Sequence, residues 1–299
     1  MPGDTGSARV EEAVGAAVDT ALAKLKAVEE EPYYDEAADE SARKSYYEEL
    51  DAADGEPLRA ALVELLERTH DPRPAYKPME MVYPWVDLHP DGLLRSIYSG
   101  NTFTPEELIR ADAEVERQRT ERMLEFNLRE TALGPRELAA EAEAIEQALP
   151  YNCEHVVCQS WFDEDEPMRG DIHHLFACES GCNSFRGNYP YFDFPDAQEV
   201  AREACGRRED IGFEPGAGKG PAARATLYFL LRYPGKIGDA EHELTAERLP
   251  MILEWHEGDP VSDYELHRNY VIAELQGNRN PMIDHREWAR RIDFAAAWA

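Results

Sequence analysis

The stretch of sequence that decides the fold is Asn152-Cys-Glu-His-Val-Val-Cys-Gln-Ser-Trp161. It is followed by Asp171-Ile-His-His174 and by Cys182-Asn-Ser-Phe-Arg-Gly-Asn188. The segment is rich in His, Cys, Asn, Gly and aromatic residues, whereas the residues on either side of it show helical periodicity. The sequence therefore predicts an α+β fold in which a small functional segment, about 150–194, is embedded in a mostly helical domain.

Three residues of this segment suit the hydrolysis of a phosphodiester. The reaction needs a base that takes a proton from water and a group that offsets the charge of the phosphate. His155 suits the first task, because the pKa of an imidazole lies near neutral pH. Glu154 and Asn183 offer oxygen ligands to a hard divalent metal ion. With only two such ligands the metal would keep several waters, as Mg²⁺ prefers.

Glu154 and His155 are adjacent, and this places a demand on the fold. Neighbouring side chains of a β-strand point to opposite faces of the sheet. The two residues can serve one site only if the strand ends or bulges at this point.

These motifs resemble those of the endonuclease I family, bacterial non-specific nucleases of the ββα-metal (His-Me finger) superfamily. The resemblance includes Arg169-Gly-Asp-Ile-His-His-Leu175 and extends over about residues 75–290. The other matching segments are Val82-Tyr-Pro-Trp-Val-Asp-Leu-His89, Leu94-Arg-Ser-Ile-Tyr-Ser-Gly100, Lys219-Gly-Pro-Ala-Ala-Arg-Ala225, Leu253-Glu-Trp-His-Glu-Gly-Asp-Pro260 and Gln276-Gly-Asn-Arg-Asn-Pro281. Several motifs in the family's order are far more specific than any one of them.

The resemblance implies a metal-dependent endonuclease that cleaves DNA, and often RNA, with little sequence preference and leaves 5′-phosphate ends. His155 would activate the attacking water, with one ring nitrogen held by a backbone carbonyl. Glu154 and Asn183 would bind a single metal ion, for which Mg²⁺ is expected and Mn²⁺ or Ca²⁺ are alternatives. The nucleic acid would be held by its backbone rather than read through its bases.

Further residues are expected at the phosphate or behind the metal ligands, namely Arg169, His173, Arg186 and Asn188. His173 is preferred over His174, because two adjacent histidines rarely reach the same metal. Arg186 is equally consistent with a phosphate clamp and with an ion pair to a nearby acid. The segment 276–280 either lines the nucleic-acid groove or ties the C-terminus to the core.

All five cysteines lie between positions 153 and 205. Disulfides drawn from Cys153, Cys178, Cys182 and Cys205 are favoured, because bridges there would stiffen the segment around His155. Structural Zn²⁺ held by four cysteines is a weaker alternative, since the spacing differs from that of common zinc ribbons. Free buried thiols are the third alternative for the five cysteines. Cys158 stands where the family commonly has proline, which alters the following loop but removes no catalytic group.

The net charge of −30 argues against a nucleic-acid partner, because phosphate binding usually leaves a basic footprint. Either the groove is locally neutral or positive, or the acidic residues 1–50 occupy it as a mimic of the nucleic-acid backbone. The rival function is a catalytically inactive, zinc-stabilised module whose acidic surface binds a basic protein. A further alternative keeps the fold but restricts the substrate to RNA, and a protein inhibitor is one further type of partner.

The organisation of the chain is expected to be simple. Residues 1–30 are rich in Ala and Glu and predict an acidic, flexible arm, and residues 31–299 predict one domain. Thr104-Pro-Glu-Glu107 is a capping box that opens a helical hairpin over about 104–148. The sequence predicts no membrane span and no signal peptide. The resemblance favours secretion, whereas this chain alone favours the cytoplasm, so localisation stays open.

Overall fold

A computed structural model describes residues 4–50, 54–129, 134–196, 201–238, 240 and 242–298. Its helices are α1 Asp4–Val28, α2 Glu36–Tyr46, α3 Glu56–Thr69, α4 Pro78–Met81, α5 Pro105–Arg129, α6 Pro135–Ala148, α7 Ser180–Arg186, α8 Lys219–Arg232, α9 Leu249–Gly258, α10 Asp263–Gln276 and α11 Pro281–Asp284. Its strands are β1 Leu94–Arg95, β2 Thr102–Phe103, β3 Cys153–His155, β4 Leu175–Ala177, β5 Ala201–Glu203, β6 Gly206–Glu209 and β7 Gly212–Pro215. The expected α+β fold, mostly helical with small antiparallel sheets, is confirmed. None of the helices in these ranges combines the length and the apolar character needed to cross a bilayer.

β3, β4 and α7 form a ββα unit, called the finger below. β3 pairs antiparallel with β4, with His155 opposite Leu175 and Cys153 opposite Ala177. Leu175 and Ala177 pack in one apolar cluster, whereas Phe176 packs in another, because alternate residues of a strand face opposite sides. The finger is therefore held between two cores, one against each face of its strands.

These two cores join the finger to the surrounding helices. The larger core centres on α8, in which residues 222–232 are all buried. α8 packs against α3, α9 and the 3₁₀ turn Ile172–His174 that precedes β4. The smaller core joins α1, α5, α10 and the π-helical turn Val82–Val86 to the other face of the finger. Both cores thus converge on the segment that carries the candidate site.

The two helices expected over about 104–148 are present as α5 and α6. The capping box is formed, because the N–H of Thr104 donates to the Glu107 carboxylate (2.7 Å) and the N–H of Glu107 donates to Oγ1 of Thr104 (3.3 Å). Residues 130–133, between the helices, lie outside the described residues. The N-terminal part of α5 buries Leu108 and Ile109, which anchors the hairpin to the smaller core.

The expected N-terminal arm, residues 1–30, contains helix α1, and residues 1–3 lie outside the described residues. Ala21 is fully buried and Val10 is 8% exposed. α1 packs along α5 and against α4. Further apolar side chains of α1 are partly buried against the smaller core, namely Val18, Leu22, Leu25 and Val28. The segment is thus a packed helix in this structure rather than an arm apart from the core.

The C-terminal segment 276–280 ties the end of the chain to the core. The side chains of residues 276 and 278–280 are at most 2% exposed. Gln276 accepts a hydrogen bond from the N–H of Ile172 (3.0 Å), and Asn280 donates to the carbonyl of Arg224 (3.1 Å). Of the two roles left open for this segment, the structure shows the second, a latch that ties the C-terminus to the core.

One disulfide links the finger to the three-stranded sheet β5–β6–β7. It joins Cys182 in α7 to Cys205 in the turn between β5 and β6, with Cα atoms 5.3 Å apart. Cys153, Cys158 and Cys178 are free and buried, so the staples expected at Cys153 and Cys178 are not formed. These two residues pack in different apolar clusters, on opposite faces of the finger. Because Cys182 and Cys205 are bridged, a four-cysteine zinc site is not available.

Candidate active site

The end of β3 brings Glu154 and His155 to one cleft. The strand includes both residues, which pair with Phe176 and Leu175, and it ends at His155. The cleft has a volume of about 430 Å³, and its lining also includes Asn183 and Asn188. Glu154 is 1% exposed and His155 is 7% exposed. Both adjacent side chains thus line the same cleft at the point where β3 ends.

The imidazole of His155 is fixed in one tautomer. Its Nε2 donates to the carbonyl oxygen of Arg169 (3.0 Å), so Nδ1 carries the lone pair. The ring lies against that of Tyr76, with centroids 4.6 Å apart, and 5.4 Å from the ring of His174. Burial lowers the pKa of His155 well below its usual value, and His174 adds to the shift. The ring is therefore neutral at neutral pH, as a group that accepts a proton must be.

The carbonyl of Arg169 is positioned by a close approach of two backbone segments. A Cβ at Gly170 would lie 1.9 Å from the carbonyl oxygen of Pro74, so a side chain does not fit at position 170. The N–H of Gly170 donates to the carboxylate of Glu166 (3.0 Å). The hydrogen-bond partner of His155 is thus held by the close backbone packing at Gly170 together with the carboxylate of Glu166.

The carboxylate of Glu154 is held by two groups. The hydroxyl of Tyr98 donates to Oε1 (2.7 Å), and Nη1 of Arg186 lies 3.0 Å from the same oxygen. Tyr98 is in turn hydrogen-bonded to the hydroxyl of Tyr191 (2.7 Å). Burial raises the pKa of Glu154, and Arg186 and Tyr98 oppose that shift. Since both bonds are made to Oε1, Oε2 is left for another partner.

Arg186, the last residue of α7, binds backbone carbonyl groups at the end of β3. Its Nη1 donates to the carbonyl oxygen of His155 (3.2 Å) and its Nη2 to that of Val156 (2.9 Å). The side chain is 2% exposed. A buried carboxylate needs such a charge partner to remain ionised. Of the two roles left open for Arg186, a phosphate clamp or an ion pair, the structure shows the ion pair with Glu154.

The side chains of Glu154 and Asn183 fit a hard divalent metal ion. Nδ2 of Asn183 donates to the carbonyl oxygen of Cys153 (3.0 Å), which leaves Oδ1 as an oxygen donor. Carboxylate and amide oxygens are ligands that Mg²⁺, Mn²⁺ and Ca²⁺ accept. The described residues contain no cluster of three or more His, Cys, Asp or Glu suited to a metal. A metal held here would therefore keep water in most of its positions.

The chain was compared with known proteins. A family model described as Endonuclease I matches residues 87–287. The chain belongs to the Endonuclease I family. Extracellular ribonucleases of Bacillus subtilis and Bacillus amyloliquefaciens are 37% and 36% identical to it over 157 residues, which are 48% of this chain and 54% and 53% of those proteins. An extracellular deoxyribonuclease of Aeromonas hydrophila is 32% identical over 127 residues, 41% of this chain and 52% of that protein. The chain spans about half the length of the curated relatives it matches.

Two of the polar residues expected from the family lie at or near the cleft. Asn188 is exposed and lines it. Arg169 has a side chain 28% exposed, and its guanidinium lies 5.4 Å from the ring of Tyr76, which itself packs on His155. Its Nε also donates to Gln159 (3.2 Å). Asn188 is thus part of the cleft lining, and Arg169 lies beside it on Tyr76.

The two adjacent histidines have different surroundings. Nε2 of His173 bonds to the carbonyl oxygen of Asn278 (3.2 Å), and its ring packs on Tyr228, so His173 faces the C-terminal latch. His174 is the one whose ring approaches His155, and its Nε2 bonds to the carbonyl oxygen of Met168 (2.6 Å). Both rings are buried. The structure therefore gives His173 a place in the core, whereas the sequence favoured it over His174 for the site.

Several residues of the site were not indicated by the sequence. Tyr98 belongs to a segment that resembles the family, but nothing in its local pattern indicates a bond to Glu154. Tyr76 and Tyr191 are likewise brought in by tertiary packing alone. Cys158 lines the cleft, and burial raises the pKa of its thiol to about 12, so the thiol stays protonated.

Proposed function

We propose that this member of the Endonuclease I family is a metal-dependent endonuclease. Its substrate is DNA, with RNA as a second substrate, and it leaves 5′-phosphate ends. The names of the relatives support both substrates, since they include ribonucleases and deoxyribonucleases. The position of His155 carries the proposal. A neutral imidazole with a fixed tautomer lies in a cleft beside two oxygen ligands, an arrangement suited to general-base hydrolysis.

His155 acts as the general base. Its Nε2–H is engaged by the carbonyl of Arg169, so Nδ1 accepts the proton of the attacking water. The imidazolium formed in this step keeps its hydrogen bond to the same carbonyl. Because the ring packs against Tyr76, it does not need to be reoriented before the proton is transferred.

Glu154 and Asn183 would hold the metal ion, for which we propose Mg²⁺, with Mn²⁺ or Ca²⁺ as substitutes. When bound, the metal offsets the charge that develops on the phosphate and on the leaving oxygen. Tyr98 and Arg186 orient the Glu154 carboxylate from behind. Partners of this kind commonly tune metal affinity by fixing the ligand.

The proposed contacts with substrate are to the sugar–phosphate backbone. Arg169 and Asn188 lie near or in the cleft and offer N–H donors to phosphate oxygens. Contacts to phosphate carry no sequence information directly, so we expect weak sequence preference. The rival interaction module would need cysteine ligands for zinc, and two of the five cysteines are already bridged.

The test compares cleavage of a supercoiled plasmid and of a structured RNA at neutral pH, with Mg²⁺ and with EDTA. Wild type should cut only with the metal, and His155→Ala should lose at least about 100-fold in rate, the usual contribution of a general base. His89→Ala is the matched control, because this half-buried histidine does not line the cleft. Both variants must retain the wild-type circular dichroism spectrum.

Calorimetric titration with Mn²⁺ provides a readout that does not depend on turnover. Asn183→Ala should weaken Mn²⁺ binding, whereas His155→Ala should retain it. An active His155→Ala variant, or cleavage undiminished in EDTA, would overturn the proposed mechanism. Cleavage of RNA but not of DNA would restrict the function to a ribonuclease.

A further inference from the structure

A second cavity adjoins the catalytic cleft. Its volume is about 730 Å³, within the range of ligand-binding sites. It lies between α1, α4 and α5, and Tyr76 and Tyr151 line both this groove and the cleft. The groove and the site of the proposed reaction are therefore neighbours, with these two tyrosines between them.

The lining of the groove is mostly apolar. α1 contributes Val10 and Val14, the start of α4 contributes Met79, and α5 contributes Leu124. Leu124 is 39% exposed, which is unusual for a large apolar side chain in this protein. Exposed apolar surface inside a concave site commonly marks a place where an apolar group binds.

The acidic residues of the groove are paired with neighbouring groups, and Oε1 of Glu80 lies 3.1 Å from Nζ of Lys77. Asp112 is 1% exposed and accepts hydrogen bonds from Tyr83 and from the backbone and side chain of Asn152. Glu116 accepts a hydrogen bond from the hydroxyl of Tyr151. These carboxylates are therefore engaged by the protein, and the groove offers a ligand an apolar and aromatic surface beside the basic side chains of Arg9 and Lys77.

The junction of groove and cleft has the features that unpaired bases bind. The guanidinium of Arg119 lies 3.9 Å from the centroid of the Tyr151 ring, and that ring contacts Tyr76 edge to face. Unpaired bases stack on aromatic rings and on the planes of arginine side chains. In a duplex the bases are stacked inside and cannot reach such a surface.

The net charge of the chain also favours a ligand that presents unpaired bases. With a net charge of −30, little binding energy can come from neutralising phosphates and releasing their counterions. Contacts that are not ionic would then add to the phosphate contacts proposed for the cleft. Base stacking supplies such contacts independently of sequence.

We propose that this groove binds the bases of a single-stranded nucleic acid while the adjoining phosphodiester lies at His155, an inference that rests on the proposed nuclease function. Single-stranded DNA and RNA are then the preferred substrate class. A duplex places only its backbone in the cleft and leaves the groove empty.

The test uses a single-stranded DNA octamer of mixed sequence, its duplex, and a dinucleotide that fills the cleft alone. Leu124→Gln makes the groove polar without adding a charge, and the exposed position leaves folding intact. Ile211→Gln is the matched control, because Ile211 is 50% exposed and lies outside the groove. We expect Leu124→Gln to raise KM for the octamer about three- to tenfold, with kcat and dinucleotide cleavage unchanged. Ile211→Gln should match wild type.

Equal kcat/KM for octamer and duplex in the wild type would overturn the proposal. So would an unchanged octamer KM in Leu124→Gln, or an equal rise in Ile211→Gln. If no substrate is cleaved, the nuclease proposal fails, and the groove is tested by fluorescence anisotropy of the labelled octamer in EDTA. Weaker binding by Leu124→Gln than by Ile211→Gln would then support the groove, and equal binding would overturn it.

Discussion

Removal of the Cys182–Cys205 disulfide should destabilise the protein by an amount set by the loop it closes. The two cysteines are 23 residues apart in the chain, and the loss of unfolded-chain entropy on closing such a loop corresponds to about 3.4 kcal/mol at 25 °C. Both residues are buried, so the variant Cys182→Ala/Cys205→Ala places no new polar atom in the core. Helix α7 also carries Asn183 and Arg186, so looser attachment of α7 should reduce cleavage as well.

The assay is urea unfolding followed by circular dichroism, with and without a reductant. Reduction should lower the free energy of unfolding of the wild type by about 3 kcal/mol. The double alanine variant should be less stable at the outset and should not respond to the reductant. Cys158→Ala is the control, because it removes a free buried thiol and keeps the bridge. A wild type insensitive to reduction, or a double variant that responds equally, would refute the reasoning.

Two further variants test the surroundings of the site and of the small sheet. Tyr98→Phe removes a donor to Glu154 and should lower apparent Mg²⁺ affinity about tenfold, whereas Tyr191→Phe should have a smaller effect; equal metal titrations for both would contradict this order. Burial raises the pKa of Glu214, but hydrogen bonds, that of Arg207 first, lower it overall from 4.5 to about 2. The stability this gives is present above pH 4.5 and is lost as the pH falls toward 2, so the wild type should lose more stability over that range than Glu214→Gln. Parallel acid unfolding curves for the two proteins would count against this.

Much of the finger could be predicted from its own sequence. Glu154, His155 and Asn183 lie in one segment of the sequence, and their chemical types suggest a base and two oxygen ligands before any fold is known. The capping box at Thr104 is equally local, because it depends on residues three positions apart. Features of this kind depend on neighbours in the chain, so the sequence alone specifies them.

The remaining features depend on partners that are distant in the chain. Tyr98 meets Glu154 across 56 residues, and no periodicity encodes that meeting. The choice of Cys205 rather than Cys153 as partner of Cys182 follows from which core each thiol faces. The packing of α1 likewise depends on α4 and α5, which lie far from it in the chain.

The partner of the His155 ring has a consequence for how this chain tolerates mutation. Every amino acid carries the same main-chain carbonyl, so no codon change at position 169 can delete the acceptor that fixes the imidazole. Position 170 is the sensitive one, because any side chain there would clash with the backbone of Pro74. The orientation of the His155 imidazole is thus inherited through the backbone shape of a loop, and its most sensitive position is a glycine.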